Sequence, residues 1–259
     1  MGSLKNSETE RAPIAVFTAL AWESAAVRSV LRQVKRVDER VWRGSTGARG
    51  VLVITGGIGL RRTRQIVEQF ATTPFSAVLS VGCAGALVPG LVTGQLILAP
   101  DIRLQPAKDV EQLRRFPVDA RLLAEMRTAA TRVGVPMAEG PLFTSPKVLF
   151  TAEEKARQGE RTGAIAVEME SGVHAEFAAE RGLPFLVVRV ILDGVDMIIP
   201  AVAGLTTPEG EVRYVRAATY LATHPQHFST LLALKRAREA AAHAISRLCQ
   251  ALFSQLSDE

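Results

Sequence analysis

Three carboxylates, Glu168, Glu170 and Asp193, fall at the ends of two apolar runs, residues 164–167 and 185–192. A helix-forming stretch, 169–181, lies between the runs. In an α/β protein, parallel strands joined by a helix deliver their C-terminal ends to the same edge of the sheet. Carboxylates gathered there usually serve a ligand, because a buried charge without a partner costs stability. Acids placed in this way suit chemistry on a sugar: one grips hydroxyls and another protonates a leaving group.

Other candidates are weaker singly. Glu23 follows directly on a buried apolar run, where a carboxylate also gains from a helix dipole, worth about 0.3–1 kcal/mol. The Gly56-Gly57-Ile58-Gly59 turn brings backbone N–H groups to an edge, but it is neither G-x-G-x-x-G nor a P-loop. Gly82-Cys83-Ala84-Gly85 reads as a second turn, open to a flat ligand because two of its four residues lack a Cβ. His174 lies in an Ala-rich helix with no second ligand at metal spacing and reads as an ordinary histidine. Cys83 beside His174 invites a thiol-nucleophile reading, but nothing orients the pair. His224, His227 and His243 carry no assigned role.

The elements that must position these residues alternate along the chain. Strands are expected at 14–20, 51–55, 77–81, 95–99, 137–144, 164–167 and 185–192. Helices are expected at 23–34, 61–70, 118–133, 152–160, 169–181, 212–222 and 225–256. The charged segment 102–117 reads as a loop or lid, and 196–210 is rich in Pro, Gly and apolar residues. Such alternation without a composition break predicts one α/β domain over 13–259, behind a flexible N-terminus, 1–12. The central sheet is expected to be mixed, mostly parallel and flanked by helices.

The 259 residues are 47% hydrophobic, enough for a large buried core, and carry a formal charge of +5. That balance suits anionic small molecules or peripheral contact with a membrane surface, and nothing in it calls for nucleic acid. No uncharged apolar run reaches the roughly 18 residues of a spanning helix. Two distant cysteines, Cys83 and Cys249, show no metal spacing, so a cytoplasmic chain with free thiols is expected.

Five segments occur in order on the expected strand ends. They are Ala19-Leu20-Ala21-Trp22-Glu23, Gly57-Ile58-Gly59, Val81-Gly82-Cys83-Ala84-Gly85, Val167-Glu168-Met169-Glu170 and Val188-Arg189-Val190-Ile191-Leu192-Asp193. Together they resemble the nucleoside phosphorylase family, and within it the 5′-methylthioadenosine/S-adenosylhomocysteine nucleosidase type. The tail, from Asp193-Gly194-Val195-Asp196 through Ile199-Pro200 and His224-Pro225 to a long Leu/Ala/Arg helix, is similar to the hopanoid-associated phosphorylase subgroup. That subgroup is linked to adenine removal from adenosylhopane, a nucleoside with a lipid on its 5′ carbon.

The resemblance implies a role for each matching residue. Asp193 would protonate purine N7, Glu170 would hold the ribose hydroxyls with Met169 against the sugar, and Glu23 would position the nucleophile. Ala84, Gly85, Val148 and Leu149 would line the base, and Cys83 and Gly59 the nucleophile. It implies no cofactor or metal, with inorganic phosphate or water as the attacking group. It also implies a homo-oligomer, most simply a dimer. Glu170 must be ionised to accept two hydroxyls, and Asp193 protonated when it acts.

Three departures stand out: Cys83 and Leu192 each replace a serine, and Val148 replaces a stacking aromatic. Arg61 and Arg62 are the basic candidates for phosphate, while a carboxylate at Glu23 favours water. A methylthioadenosine or S-adenosylhomocysteine nucleosidase and a nucleoside-binding protein without turnover are the competing readings.

Overall fold

The computed structural model describes residues 12–107, 110–196 and 228–257. Among them, twelve strands form one mixed sheet. The chain runs β1 (Ile14–Thr18), α1 (Ala21–Arg28), β2 (Arg32–Asp38), β3 (Val41–Thr46), β4 (Arg49–Thr55), α2 (Leu60–Glu68) and β5 (Ala77–Ala86). It continues with β6 (Leu96–Leu98), β7 (Asp101–Leu104), β8 (Arg114–Pro117), α3 (Ala120–Val133), β9 (Met137–Glu139) and β10 (Leu142–Thr144). Then come α4 (Ala152–Thr162), β11 (Ala166–Glu168), α5 (Ser171–Glu180), β12 (Phe185–Asp193) and α6 (Phe228–Ser257).

Strands β1, β5 and β12 are buried along their whole length or nearly so. They read as continuous apolar runs because helices cover both faces of the sheet. One core packs α1, α3 and α6 against Val16, Val53, Leu79 and Val188. A second packs α2 and α5 against Phe17, Ile54, Val78 and Val187.

β5 organises the centre. It pairs with β12 in parallel from Val78 to Gly85, along one edge. On its other edge it pairs with β1 over Ala77–Ser80 and with β11 at Gly85 and Ala86. Residues 81–84 of that second edge therefore have no strand beside them, and the sheet opens there.

Several expectations are corrected. The helix expected over 23–34 stops at Arg28; residues 32–38 form β2, because pairing with β3 overrides the helical spacing and leaves Val34 and Val37 exposed. The segment 102–117 is not simply a loop: β7 and β8 pair antiparallel within it. Gly140-Pro141 splits the strand expected over 137–144 into β9 and β10. Residues 82–85 are strand rather than turn. The N-terminus up to residue 11, the segment 197–210, the helix expected at 212–222, and His224 and His227 lie outside the described residues.

Candidate active site

A cleft of about 150 Å³, open to solvent, lies where the sheet parts beside β5. Asp193, Glu23, Glu170, Met169, Ala84, Gly85, Val148, Leu149 and Cys83 all line it. The five segments singled out in the sequence therefore meet in space. Gly59 stands just behind the wall and donates its N–H to Glu170 Oε1 at 2.8 Å. Its φ of 94° is open to glycine and strained for other residues.

Glu23 enters from the first turn of α1. Its Oε2 accepts the N–H groups of Ala19 and Leu20 at 3.0 and 2.9 Å, fixing the strand-to-helix corner. Its Oε1 accepts the Cys83 N–H at 2.9 Å, on the edge of β5 that no strand covers. The carboxylate thus replaces a missing ladder bond and is held against the cavity by the backbone on both sides.

Glu168 and Glu170 divide their tasks. Glu168 Oε2 accepts the Glu170 and Ser171 N–H groups at 2.8 and 2.7 Å, and its Oε1 accepts the Thr144 hydroxyl. Glu168 therefore shapes the β11–α5 corner, and both it and Glu170 line the cavity. Burial, and next the Glu168 charge, push the Glu170 carboxyl up to about 8. The ionised form that the sequence reading required is thus the minority form in the empty site at neutral pH; ribose hydroxyls donating to the carboxylate would favour it.

Sequence reasoning passed over Arg189. This residue is 1% exposed and projects from β12 between the carboxylates. Nη2 lies 2.8 Å from Glu168 Oε2 and 3.9 Å from Glu170 Oε2, and also donates to Ser80 and Ser171. Nη1 is buried with no hydrogen-bond partner among the described residues. Gly82 makes room for it: a Cβ there would run into the guanidinium and stand 2.7 Å from Glu23 Oε1. One signal could have found it, a single charge inside the otherwise apolar run 185–192. Arg61 is exposed, and neither it nor Arg62 lines the cavity, so Arg189 replaces them as the cation near the carboxylates.

At the other end Asp193 faces Gly85 after a register slip between Ile191 and Asp193. A Cβ on Gly85 would stand 2.9 Å from Asp193 Oδ2, so this glycine too makes room for a charge. Burial raises the Asp193 carboxyl and Lys155 opposes that shift. Leu192 packs into the core, while Lys155, from α4, reaches the acid: Nζ lies 2.6 Å from Oδ2. Lys155 was the second residue missed, and its hydrophilic helix gave no local sign of it.

Cys83 is no nucleophile: burial, and next the Glu23 charge, hold its thiol well above the usual range. His174 stacks on Phe17 at 4.7 Å and pairs with Ser80 Oγ at 2.9 Å, and burial holds it well below the usual imidazole value. It is a core residue, as its sequence setting suggested. Among the described residues no group of His, Cys, Asp and Glu has the makings of a metal site, and no helix is long and apolar enough to cross a membrane.

The chain is 26% identical to the 5′-methylthioadenosine/S-adenosylhomocysteine nucleosidase of Mycobacterium bovis, covering 70% of this chain and 85% of that protein. In fold it is similar to the futalosine hydrolase of Helicobacter pylori (TM-score 0.73, 16% identity, 96% of this chain and 100% of that one). The Neisseria meningitidis 5′-methylthioadenosine/S-adenosylhomocysteine nucleosidase, solved in complex with methylthio-immucillin-A, is similar too (TM-score 0.71, 20% identity, 94% and 99%). Residues 13–219 match the Phosphorylase superfamily, and the chain belongs to that family.

Proposed function

We propose that the protein cleaves the N-glycosidic bond of an adenine nucleoside with a large apolar 5′ substituent, water attacking C1′ and adenine leaving. The observation that carries the reading is one cleft with Asp193 at one end and Glu23 and Glu170 at the other. Such a bond breaks through an oxocarbenium-like state, which calls for protonation of the base and negative charge near the sugar. Asp193 serves the base, Glu170 the ribose hydroxyls with Met169 against the ring, and Glu23 takes a proton from water. Ala84, Gly85, Val148 and Leu149 line the base.

Water is favoured over phosphate by charge. A phosphate dianion beside C1′ would face Glu23 and Glu170, and the Arg189 cation is already matched by Glu168 at 2.8 Å. Inorganic phosphate as co-substrate is the alternative that the first experiment separates. The apolar 5′ group, of which adenosylhopane is the type, is supported by the cleft's surroundings. Ile58 and Val148 line it at 40% and 38% exposure, and Phe150 follows two residues on at 40%. Uncovered side chains of this kind mark a place where apolar ligand surface is buried. The resemblance adds a homo-oligomer, a dimer in its simplest form, and the net charge of +5 suits contact with an anionic membrane surface.

A methylthioadenosine/S-adenosylhomocysteine nucleosidase is the second reading, favoured by the names of the matched relatives. Adenine release from methylthioadenosine and from a long-chain 5′-alkyl adenosine, each with and without phosphate, tests both. Faster release from the long-chain substrate, unchanged by phosphate, is expected. Preference for methylthioadenosine selects the second reading, dependence on phosphate changes the nucleophile, and no release from either substrate refutes glycosidic cleavage.

A further inference from the structure

We propose that Lys155 holds the proton that Asp193 passes to N7 of the departing base, an inference that rests on the cleavage reading above. Lysine is almost never fully buried unless paired, yet Lys155 is 1% exposed. It sits in α4, a helix whose sequence, Ala-Glu-Glu-Lys-Ala-Arg-Gln-Gly-Glu-Arg-Thr, is polar nearly all round. The chain brings it inside by two devices. Thr151 and Glu154 close a capping box that fixes the helix start. Gly159, one turn after Lys155, lets the helix lie close to the end of β5, since a Cβ there would stand 3.1 Å from the Leu87 carbonyl oxygen.

The ammonium is thereby delivered to the cavity wall, 2.6 Å from Asp193 Oδ2 and 2.8 Å from the Gly194 carbonyl oxygen. A pair serving stability alone would not need to line the cleft. Moreover, a carboxylate paired with an ammonium carries no proton for a base to take. The nearest one is on Lys155. Moving it to Asp193 erases two opposite charges in a buried site, which desolvation favours.

The step balances. The C1′–N9 bond breaks and its electron pair stays with the purine. A proton passes from Lys155 Nζ to the Asp193 carboxyl and on to N7, so adenine leaves neutral. Water oxygen bonds to C1′ and its proton goes to Glu23. Solvent then returns that proton to Lys155, leaving no net charge.

The test uses the full chain and two substrates with the same 5′ group: the adenine nucleoside and a 4-nitrophenyl riboside, whose phenolate leaves without a proton. Lys155→Gln keeps a hydrogen-bond donor to Oδ2 but releases no proton. It is expected to lower kcat about 10²-fold on the adenine nucleoside, at the low end of general acid help. On the nitrophenyl riboside the loss should be far smaller, and Lys155→Arg should not rescue the adenine reaction. Adding Lys155→Gln to Asp193→Asn should cost nothing further, because the two act as one unit. An equal loss on both substrates, a fully additive double variant, or unimpaired adenine release by Lys155→Gln would overturn the inference alone. Wild-type protein that releases no adenine would overturn the cleavage reading and this inference with it.

Discussion

At the end of the cleft built from α1, β11 and β12, Glu23, Glu168 and Glu170 gather around the Arg189 guanidinium; where α4 meets β12, the Asp193 carboxylate meets the Lys155 ammonium. Three acids against one cation leave an excess of negative charge in a dry place. The structure relieves it in two ways: backbone N–H groups are aimed at Glu23 and Glu168, and Glu170 is pushed toward its protonated form. At the other end opposite charges meet directly, Lys155 Nζ lying 2.6 Å from Asp193 Oδ2. Both ends use the same device in β5, a glycine whose missing Cβ lets charge press against the strand: Gly82 beneath Arg189 and Glu23, Gly85 beneath Asp193. The acid-rich end can therefore respond to pH and to ligand, while the paired end holds a defined proton.

The comparison breaks first at Glu170. Folded, its carboxyl keeps a proton up to about pH 8, against an ordinary value of 4.5. Between those values the folded state binds more protons than the unfolded, so stability falls as pH rises. At about 1.4 kcal/mol per pKa unit the fall is on the order of a few kcal/mol. Glu170→Gln should flatten it, read as urea unfolding midpoints across that window. An equal slope in the variant would mean that the excess charge is relieved elsewhere. The paired end is sharpened by Gly85→Ala, whose Cβ would stand 2.9 Å from Asp193 Oδ2 and 3.2 Å from Oδ1. Misplacing an acid by an ångström costs about 10²-fold in kcat. That loss, with unfolding little changed, is the expected result; unchanged kcat would show that Asp193 tolerates displacement.

Legibility differed between these ends for physical reasons. The acids at strand ends were visible because topology alone carries them to one edge. Arg189 was visible too, as a charge in a run otherwise fit only for burial, but it stood inside a motif already given another meaning. Lys155 was not visible, because in α4 a buried lysine looks like the exposed charges around it, and only Gly159 and the packing of the helix decide its fate. The glycines of β5 were noticed for the wrong reason: a local reading made them a turn, whereas side chains from β12 and α1 require them. β2 was lost because every residue in it is exposed, so it lacks the alternation that marks a half-buried strand. The edge of the sheet was thus harder to read than its centre, where apolar runs and strands coincide.

Cys83 gives the smallest expected effect. It lies at the acid-rich end and stands where the resemblance implies a serine. In the structure the backbone N–H of residue 83 holds Glu23, at 2.9 Å, and substitution leaves that group intact. The thiol is neutral, since burial and the Glu23 charge both oppose the thiolate. Cys83→Ser exchanges a weak donor for a stronger one beside the attacking water. The change in kcat should therefore stay below about tenfold, the worth of one ordinary hydrogen bond. Loss of activity beyond that, measured as adenine release, would mean that the larger, softer sulfur is needed to shape the nucleophile's position. The acid-rich end would then depend on packing as well as on charge.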